Sequence, residues 1–555
     1  MNYSKAVPNT KTKRTKTPQS KPIPMKENIM TANSAGGYSF VLDNWAKLNR
    51  FLILGTEGGT YYISEKNLTK QNVDNTLACI KEDSKRVLNI VYDISINNKA
   101  PKNDQAVFVL ALLFVHGDAD VKSEASRVLP EICRTGTHLF MFTYYVSEMR
   151  SLGRSIRKAI SNWYSMDIKK LEYQVAKYQS RQVEGTNNKW THKDVIRMAH
   201  VKPVGEGHDN LFSYLTKGAD STPPIRYNQF KLINAVDEIF KTDNTKKAVQ
   251  LISDFNLTHE MIPTELKNKA EVWEALLPKM PLTAMIRNLN KMTAVGILTG
   301  SGTHKATVIK NLTDMDYLKA SRVHPMTVLN ALKTYSQGQG MKGSLTWKPV
   351  QQIVDALDSA FYLSFGNVEP TGKATCLALD VSGSMGCQMS GSVLNCREAS
   401  AAMALITMNV EVDYEVVGFT SSRLSTYKPS GYRTEGLMEL RISPKQRLDD
   451  VVRYIDSLSF GGTDCSLPVI WAEQTGRKLD AFVIYTDNET WAGDIHPSQA
   501  LKKYRRIVPE AKMAVVGMAS NGFSIADPTD KGMMDFVGFD SSAPQVISSF
   551  IKGDF

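Results

Sequence analysis

Residues 376–384 read CLALDVSGS: an apolar run that stops at Asp380 and is followed by two serines, Ser382 and Ser384. Three further runs of the same kind follow it, YEVVGF (414–419), AFVIYTD (481–487) and MAVVGM (513–518). Short, continuously apolar runs are what parallel strands look like when helices cover both of their faces. Helical stretches lie between them, at 398–408, 447–458 and 497–506. Strand and helix in alternation predict an α/β, doubly wound open sheet. The pattern starts near VEPTGK (368–373), so this domain is expected to occupy residues 369–555.

In such a sheet ligands bind at the carboxyl ends of the strands. The first strand ends in D-x-S-x-S, Asp380 to Ser384. A later loop reads Gly461-Gly462-Thr463-Asp464, and another strand ends in Thr486-Asp487. Asp380, Ser382, Ser384, Thr463 and Asp487 would then converge as an oxygen-only set of hydroxyls and carboxylates. Hard divalent cations want such ligands, Mg²⁺ first and Mn²⁺ as the alternative. This constellation is similar to the metal-ion-dependent adhesion site of von Willebrand factor A domains. No nucleophile or general base stands beside it in the sequence. His496, read as a lone surface histidine, does not supply one, so hydrolytic metal chemistry is not expected.

The chain ahead of this domain is different. From about residue 34 to 368 apolar residues recur at three- and four-residue spacing, as in Val107, Leu110, Leu113 and Phe114, in Leu232, Ile233, Val236, Ile239 and Phe240, and in Val328, Leu329 and Leu332. Thr191 with Asp194 forms a capping box, and Pro281 suits a helix start. More than 300 residues of amphipathic helix exceed one bundle, so an all-α solenoid of stacked helix pairs is expected. Residues 1–33 carry seven Lys and Arg, one acid and four prolines. Such a segment is expected to be a disordered basic arm or solvated tail.

Charge divides the two parts. The net charge is +11, with 49 Lys and Arg against 34 Asp and Glu in residues 1–370, and 18 against 22 in residues 371–555. Only the first part suits a polyanion. Between Arg150 and Lys202 twelve basic residues meet four acids, with Trp163, Tyr164, Tyr173, Tyr178 and Trp190 interleaved. In THKDVIRMAH (191–200), Lys193, Arg197 and His200 share one helix face, while Val195, Ile196 and Ala199 point elsewhere. Lys170, Lys177 and Arg181 precede them, and Arg287 and Lys291 share a face of a second basic helix. Cations beside aromatics suit phosphates and unpaired bases, although core packing and solvation account for the same residue types. The glycines of GQGMKG (338–343) follow no strand and read as a turn between helices.

The longest apolar run, Ala106 to Val115, is about half of the roughly 20 residues a membrane span needs. The Lys-rich N-terminus precedes no apolar segment, and the six cysteines form no C-x-x-C pair. These features predict a cytoplasmic protein with reduced thiols and no membrane partner.

GGTYYISEKNLT (58–69), KWTHKDVIRMAHVKP (189–203), MIPTEL (261–266) and PLTAMIRNLNKMT (281–293) resemble the TROVE module of the sixty-kilodalton Ro autoantigen family, bacterial members included. VHPMTVLNALKTY (323–335), GGTDCSLPVIWA (461–472), YTDNETWAG (485–493) and SNGFSIADP (520–528) continue the likeness. It covers residues 36–555. The resemblance implies a ring of HEAT-like helical repeats closed by the A domain. It implies binding of a small structured Y-like noncoding RNA on the outer basic surface, and of single-stranded 3′ ends of misfolded RNA in a central hole. A 3′–5′ exoribonuclease is the protein partner that bacterial members imply. The family's Y-RNA surface includes a histidine that matches His192. A ring closed within one chain predicts a monomer. The chain departs from the family pattern in its basic arm, in a long loop between Arg181 and Trp190, and at 205–215.

The sequence thus reads as a non-enzymatic RNA-binding scaffold for RNA quality control. The rival reading is a metal-dependent protein-adhesion module supported by the helical ring. An RNA-processing enzyme fits least, because no carboxylate pair or activated nucleophile is visible.

Overall fold

The structure is a computed structural model. It describes residues 16–554 except 58–59, 61–62, 183–188, 219–228, 301, 341–343, 367, 390–391, 422–435, 459–460 and 539–541. The motif at 58–69, the glycine segment at 338–343 and the long loop before Trp190 therefore lie partly outside the described residues.

The four apolar runs form the middle of a six-stranded sheet. β5 (Thr375–Asp380), β6 (Tyr414–Phe419), β8 (Ala481–Thr486) and β9 (Lys512–Gly517) are joined by β7 (Leu437–Glu439) and β11 (Met533–Val537), in the order β11-β9-β8-β5-β6-β7. All neighbours are parallel except β6 and β7. β5 and β8 are buried at every position, which is why they read as unbroken apolar runs. Successive side chains still go to opposite faces. Leu377 and Leu379 join a core with α18 (Cys396–Val410) and α22 (Ala543–Lys552), and that core runs on into the helical part. Cys376 and Ala378 join a second core with α20 (Leu467–Thr475) and α21 (Pro497–Tyr504). α19 (Leu448–Asp456) packs on α18.

The helical part begins with α1 (Asn44–Leu54) and α2 (Glu65–Ile96), a 32-residue helix kinked at Asp83. α3 (Asp104–His116), α4 (Ala119–Ile132), α5 (Gly136–Met149) and α6 (Arg154–Tyr164) stack on it in turn. Next come α7 (Ile168–Lys177), the hairpin β3 (Ser180–Gln182) and β4 (Lys189–Thr191), α8 (His192–Ala199) and α9 (Glu206–Lys217). The series continues through α10 (Lys231–Lys241), α11 (Thr245–Phe255), α12 (Ala270–Leu276), α13 (Leu282–Ala294), α14 (Thr303–Thr313) and α15 (Met315–Ser321). It ends with α16 (Pro325–Gln337) and α17 (Gln351–Leu363). Thr191 and Asp194 make the expected capping box, and Pro281 sits at the N-cap of α13. Gly338 ends α16 at φ 73°, where an L-residue would be strained. In α10 the spacing rule misplaces Phe240, which is 52% exposed.

Both ends of this array rest on the A domain. At the start, Arg50 of α1 pairs with Asp535 of β11. At the end, Lys333 of α16 pairs with Glu398 of α18, and Asp355 of α17 with Arg447. The far end of α2 also meets the α15–α16 joint: Asn98 donates to the Arg322 carbonyl at 2.6 Å, and the His324 ring lies 3.1 Å from the Lys99 carbonyl. The helices therefore close a ring that is joined both through the A domain and directly, where the end of α2 meets α15–α16.

Residues 16–33 are not part of a disordered arm, which corrects the expectation for residues 1–33. Gln19 is wholly buried; its Nε2 donates to Asp464 Oδ1 at 2.7 Å and to the Ile495 carbonyl at 2.9 Å. β1 (Met30–Ala32) pairs with β2 (Tyr38–Val41), and β2 pairs with β10 (Phe523–Ser524) of the A domain. The composition misled because the stretch needs little apolar surface of its own; its backbone and Gln19 fill hydrogen-bonding positions that the A domain supplies. Residues 1–15 lie outside the described residues. Among the described residues no helix is long and apolar enough to cross a membrane.

Candidate metal site and basic face

β5 delivers Asp380 at its carboxyl end, and the chain then turns through Ser382 into a short 3₁₀ segment at Gly383–Gly386. Asp380, Ser382, Ser384, Thr463 and Asp487 are each 3% exposed or less. The Ser382 N–H donates to Asp380 Oδ1 at 3.0 Å, and the Ser382 and Ser384 hydroxyls are 3.2 Å apart. Thr486, one residue before Asp487, donates its hydroxyl to Asp380 Oδ2 at 2.7 Å. The Thr463 loop is held by its own carbonyl, which accepts from the N–H groups of Trp491 and Ala492, both at 3.0 Å. The five residues proposed from spacing thus belong to one buried edge of the sheet.

The electrostatics of this edge fit a cation. Burial pushes the carboxyls of Asp380 and Asp487 above their usual range, and the charge of Asp380 adds to the rise at Asp487. Burial and Asp487 together push Glu489 up to about 8. Among the described residues no Lys or Arg forms an ion pair with Asp380 or Asp487. The neighbouring Arg397 donates instead to the Ser382 carbonyl at 2.9 Å and to Asp456 at 3.2 Å. Two buried carboxylates with three hydroxyls, opposed in part by the nearby Arg397 charge at Asp380, form an arrangement that a divalent cation would neutralise. Among the described residues no cluster of three or more His, Cys, Asp or Glu is set to hold a metal, so the hydroxyls are essential to this reading. His496 is 2% exposed, not a surface residue, and its Nε2 lies 2.8 Å from the Lys21 carbonyl. Thr486 and Gln19 are the residues that sequence reading missed. Thr486 was signalled by adjacency to Asp487; nothing signalled Gln19.

On the helical side the capping box fixes the start of α8, and its burial pattern sorts the residues. Lys193, Arg197 and His200 are exposed while Val195, Ile196 and Ala199 are buried, as the helical spacing predicts. His192 is the correction: it is 1% exposed. Its Nδ1 lies 2.8 Å from the Tyr164 hydroxyl, and its ring packs against Phe140 and Trp163. Burial lowers its pKa to about 4, so the ring is neutral at pH 7 and carries no charge toward a phosphate. Trp163 and Tyr164 are likewise core residues, 0% and 1% exposed, and offer no stacking face.

Lys193 lines a cleft of about 320 Å³ with Gln179, Tyr214 and Asp237, where α7, α8, α9 and α10 meet. Lys170 is exposed on α7. Lys177 is half-buried over the rings of Tyr173 and Tyr178, with Glu260 at 3.5 Å. Arg181 belongs to β3, and its side chain lies outside the described residues. Arg287 is exposed and lines a separate cavity of about 290 Å³ with Lys102, Asn330, Tyr335 and Val393, at the joint with the A domain. Lys291 donates to Asn268 Oδ1 at 2.6 Å. The proposed basic residues therefore divide into a face on α7–α8 and a second group on α13.

The TROVE domain family matches residues 31–334, and the Ro60 vWA domain family matches residues 374–551. The RNA-binding protein RO60 of Caenorhabditis elegans is 37% identical to this chain, over 94% of this chain and 90% of its own length. The chain belongs to the Ro60 family. The RNA-binding protein RO60 of Deinococcus radiodurans is also 37% identical, over 94% of this chain and 95% of its own. The crystal structure of the Deinococcus radiodurans RO (RSR) protein superposes with a TM-score of 0.69, at 37% identity, over 92% of this chain and all of that one. Ro60 membership thus accounts for the order of the parts, a TROVE ring followed by a vWA domain whose first strand ends in Asp380. The TROVE match begins within β1, so the buried Gln19 lies ahead of it.

Proposed function

We propose that this Ro60-family chain is a non-enzymatic, cytoplasmic RNA-binding scaffold in RNA quality control. It holds a small structured Y-like RNA on the α7–α8 face and takes single-stranded 3′ ends of misfolded RNA within the ring. The observation that carries the reading is the exposed pair Lys193 and Arg197 on α8, with exposed His200 at its C-cap and Lys170 on α7. Family membership adds to it, since relatives that are 37% identical are named RNA-binding proteins. Phosphates would meet Lys193, Arg197 and Lys170, whereas the neutral, buried His192 would act by setting the position of α8. Recognition by shape and free ends suits such a surface, because duplex RNA hides its base edges in a deep, narrow major groove. A 3′–5′ exoribonuclease would degrade what the ring retains, and a ring closed in one chain acts as a monomer.

The test is equilibrium binding of a structured stem-loop RNA and of a single strand across a salt series. With about six phosphates neutralised, log Kd against log salt should have a slope of magnitude roughly 4 for the single strand. A flat dependence would reject the reading.

The vWA site supports a second role. Asp380, Ser382, Ser384, Thr463 and Asp487 would hold Mg²⁺ or Mn²⁺, and the bound ion would supply an electrophilic position for a carboxylate of a protein partner. If that adhesion role is the main one and the ring only a support, loss of Asp380 abolishes partner binding and RNA binding is absent from the start.

A further inference from the structure

The chain leaves the metal loop through a hairpin. Gln388 pairs with Asn395, the Cys396 N–H donates to the Cys387 carbonyl at 3.0 Å, and the Met389 N–H donates to the Leu394 carbonyl at 2.9 Å. Cys387 and Cys396 therefore lie next to each other across this bridge, joined by one backbone hydrogen bond, and forming a disulfide would need their sulfurs to close to about 2.05 Å. Their sulfurs are 3.5 Å apart, as thiols. Cys387 is partly exposed and Cys396 is 1% exposed, so one thiol can be reached from solvent and the second waits behind it.

The position of the hairpin gives the pair a consequence. The Cys387 N–H donates to the Ser384 carbonyl at 3.1 Å, which ties one end to the metal loop. Ser392 and Val393 both donate to Asn330 Oδ1 of α16, at 2.7 and 2.8 Å, which ties the other end to the closing joint of the ring.

We infer that Cys387 and Cys396 form a redox-reactive dithiol whose substrate is a hydroperoxide. The Cys387 sulfur attacks the O–O bond of hydrogen peroxide, giving a sulfenic acid and one water. The Cys396 sulfur then attacks the Cys387 sulfur; the S–O bond breaks, the S–S bond forms, and the hydroxyl leaves with the Cys396 proton as a second water. Two thiols and one peroxide thus give one disulfide and two waters, and the two electrons come from the sulfurs. A dithiol reductant returns the pair to thiols. The disulfide pins the hairpin between the metal loop and α16.

The test uses the full-length protein treated with a modest excess of hydrogen peroxide, quenched with an alkylating agent under denaturing conditions and mapped without reduction. The expected result is a 387–396 cross-linked peptide, loss of two of the six alkylatable thiols, and their recovery with dithiothreitol. In Cys396→Ser a dimedone adduct should accumulate at Cys387, and in Cys387→Ser the Cys396 thiol should stay alkylatable. Any of three results would overturn the inference: both thiols unchanged, Cys387 carried to sulfinic acid with Cys396 still a thiol, or cross-links only between chains. The wild-type map decides the matter even if a variant folds poorly.

Discussion

Arg50 of α1 reaches Asp535 of β11 with its Nη2 2.6 Å from Oδ1, across the joint between the helical ring and the A domain. The guanidinium is wholly buried, and its Nη1 donates to Asn521 Oδ1 at 2.7 Å and to the Phe523 carbonyl at 3.2 Å. Gly517 leaves room for it: a Cβ there would stand 2.4 Å from Nη2. Burial raises the Asp535 carboxyl and Arg50 opposes that rise, so the two are matched at one position.

Replacing Arg50 with Met would leave Asp535 buried without its cation. Breaking one side of a buried pair costs about 3–5 kcal/mol. The midpoint of urea unfolding should fall accordingly, and an unchanged midpoint would mean that the joint contributes nothing to stability.

His192 predicts acid sensitivity. Its folded pKa of about 4 lies below the ordinary 6.5, so the unfolded chain binds the proton more readily. Stability contributed by the neutral ring is complete above pH 6.5 and is lost as pH falls toward 4. The loss is on the order of 3 kcal/mol at about 1.4 kcal/mol per unit. Urea titrations at pH 4 and 7 should reveal it, and His192→Phe should flatten the difference. His192→Ser should lower stability by at least about 2 kcal/mol, so any RNA defect in that variant must be compared with its fold.

Lys193→Ala with Arg197→Ala should weaken structured RNA at least tenfold at low salt and reduce the salt slope by about 2, since each removes one phosphate contact. Stability should change by less than about 0.5 kcal/mol per substitution, because both side chains are exposed. Equal weakening for structured and unstructured RNA would move the Y-like site elsewhere.

Asp380→Ala should abolish the rise in melting temperature that Mg²⁺ or Mn²⁺ gives the wild type. An ion present at 100 times its Kd stabilises by about 2.7 kcal/mol. Stem-loop RNA affinity should persist in the variant, because α8 lies on the ring. A wild type whose melting temperature ignores both ions would remove the metal from this site.

Gln19→Ala should destabilise the A domain although the residue lies in a proline- and lysine-rich stretch. It removes bonds to Asp464, Ile495, Thr490 and Gly493 and leaves Asp464 buried with one donor fewer. A loss of about 1–3 kcal/mol is expected for a buried group left unsatisfied. A melting curve that matches wild type would restore the solvated tail.

The sequence by itself determined what depends on neighbours along the chain. The runs at 376–380, 414–419, 481–487 and 513–518 became β5, β6, β8 and β9, because strands buried on both faces are mostly apolar; β5 and β8 are buried throughout, while β6 and β9 are partly exposed at their first residues, Glu415 and Lys512 among them. The capping box at Thr191 and the exposed row on α8 followed from the 3.6-residue period. The place of Asp380, Ser382, Ser384, Thr463 and Asp487 on one buried sheet edge was legible because each lies at a strand end or loop whose position in a doubly wound sheet is fixed. Short β7 and β11 were not legible, since three to five residues carry little pattern. Only the tertiary structure decided where polar side chains went. His192 sits on the same helix as Lys193 yet is buried, because Phe140, Trp163 and Tyr164 arrive from α5 and α6 to enclose it. Gln19 is buried because a loop more than 400 residues away offers it a carboxylate and a carbonyl. A polar group can be buried only where its partners are, and those partners are set by the closed ring and not by the local sequence.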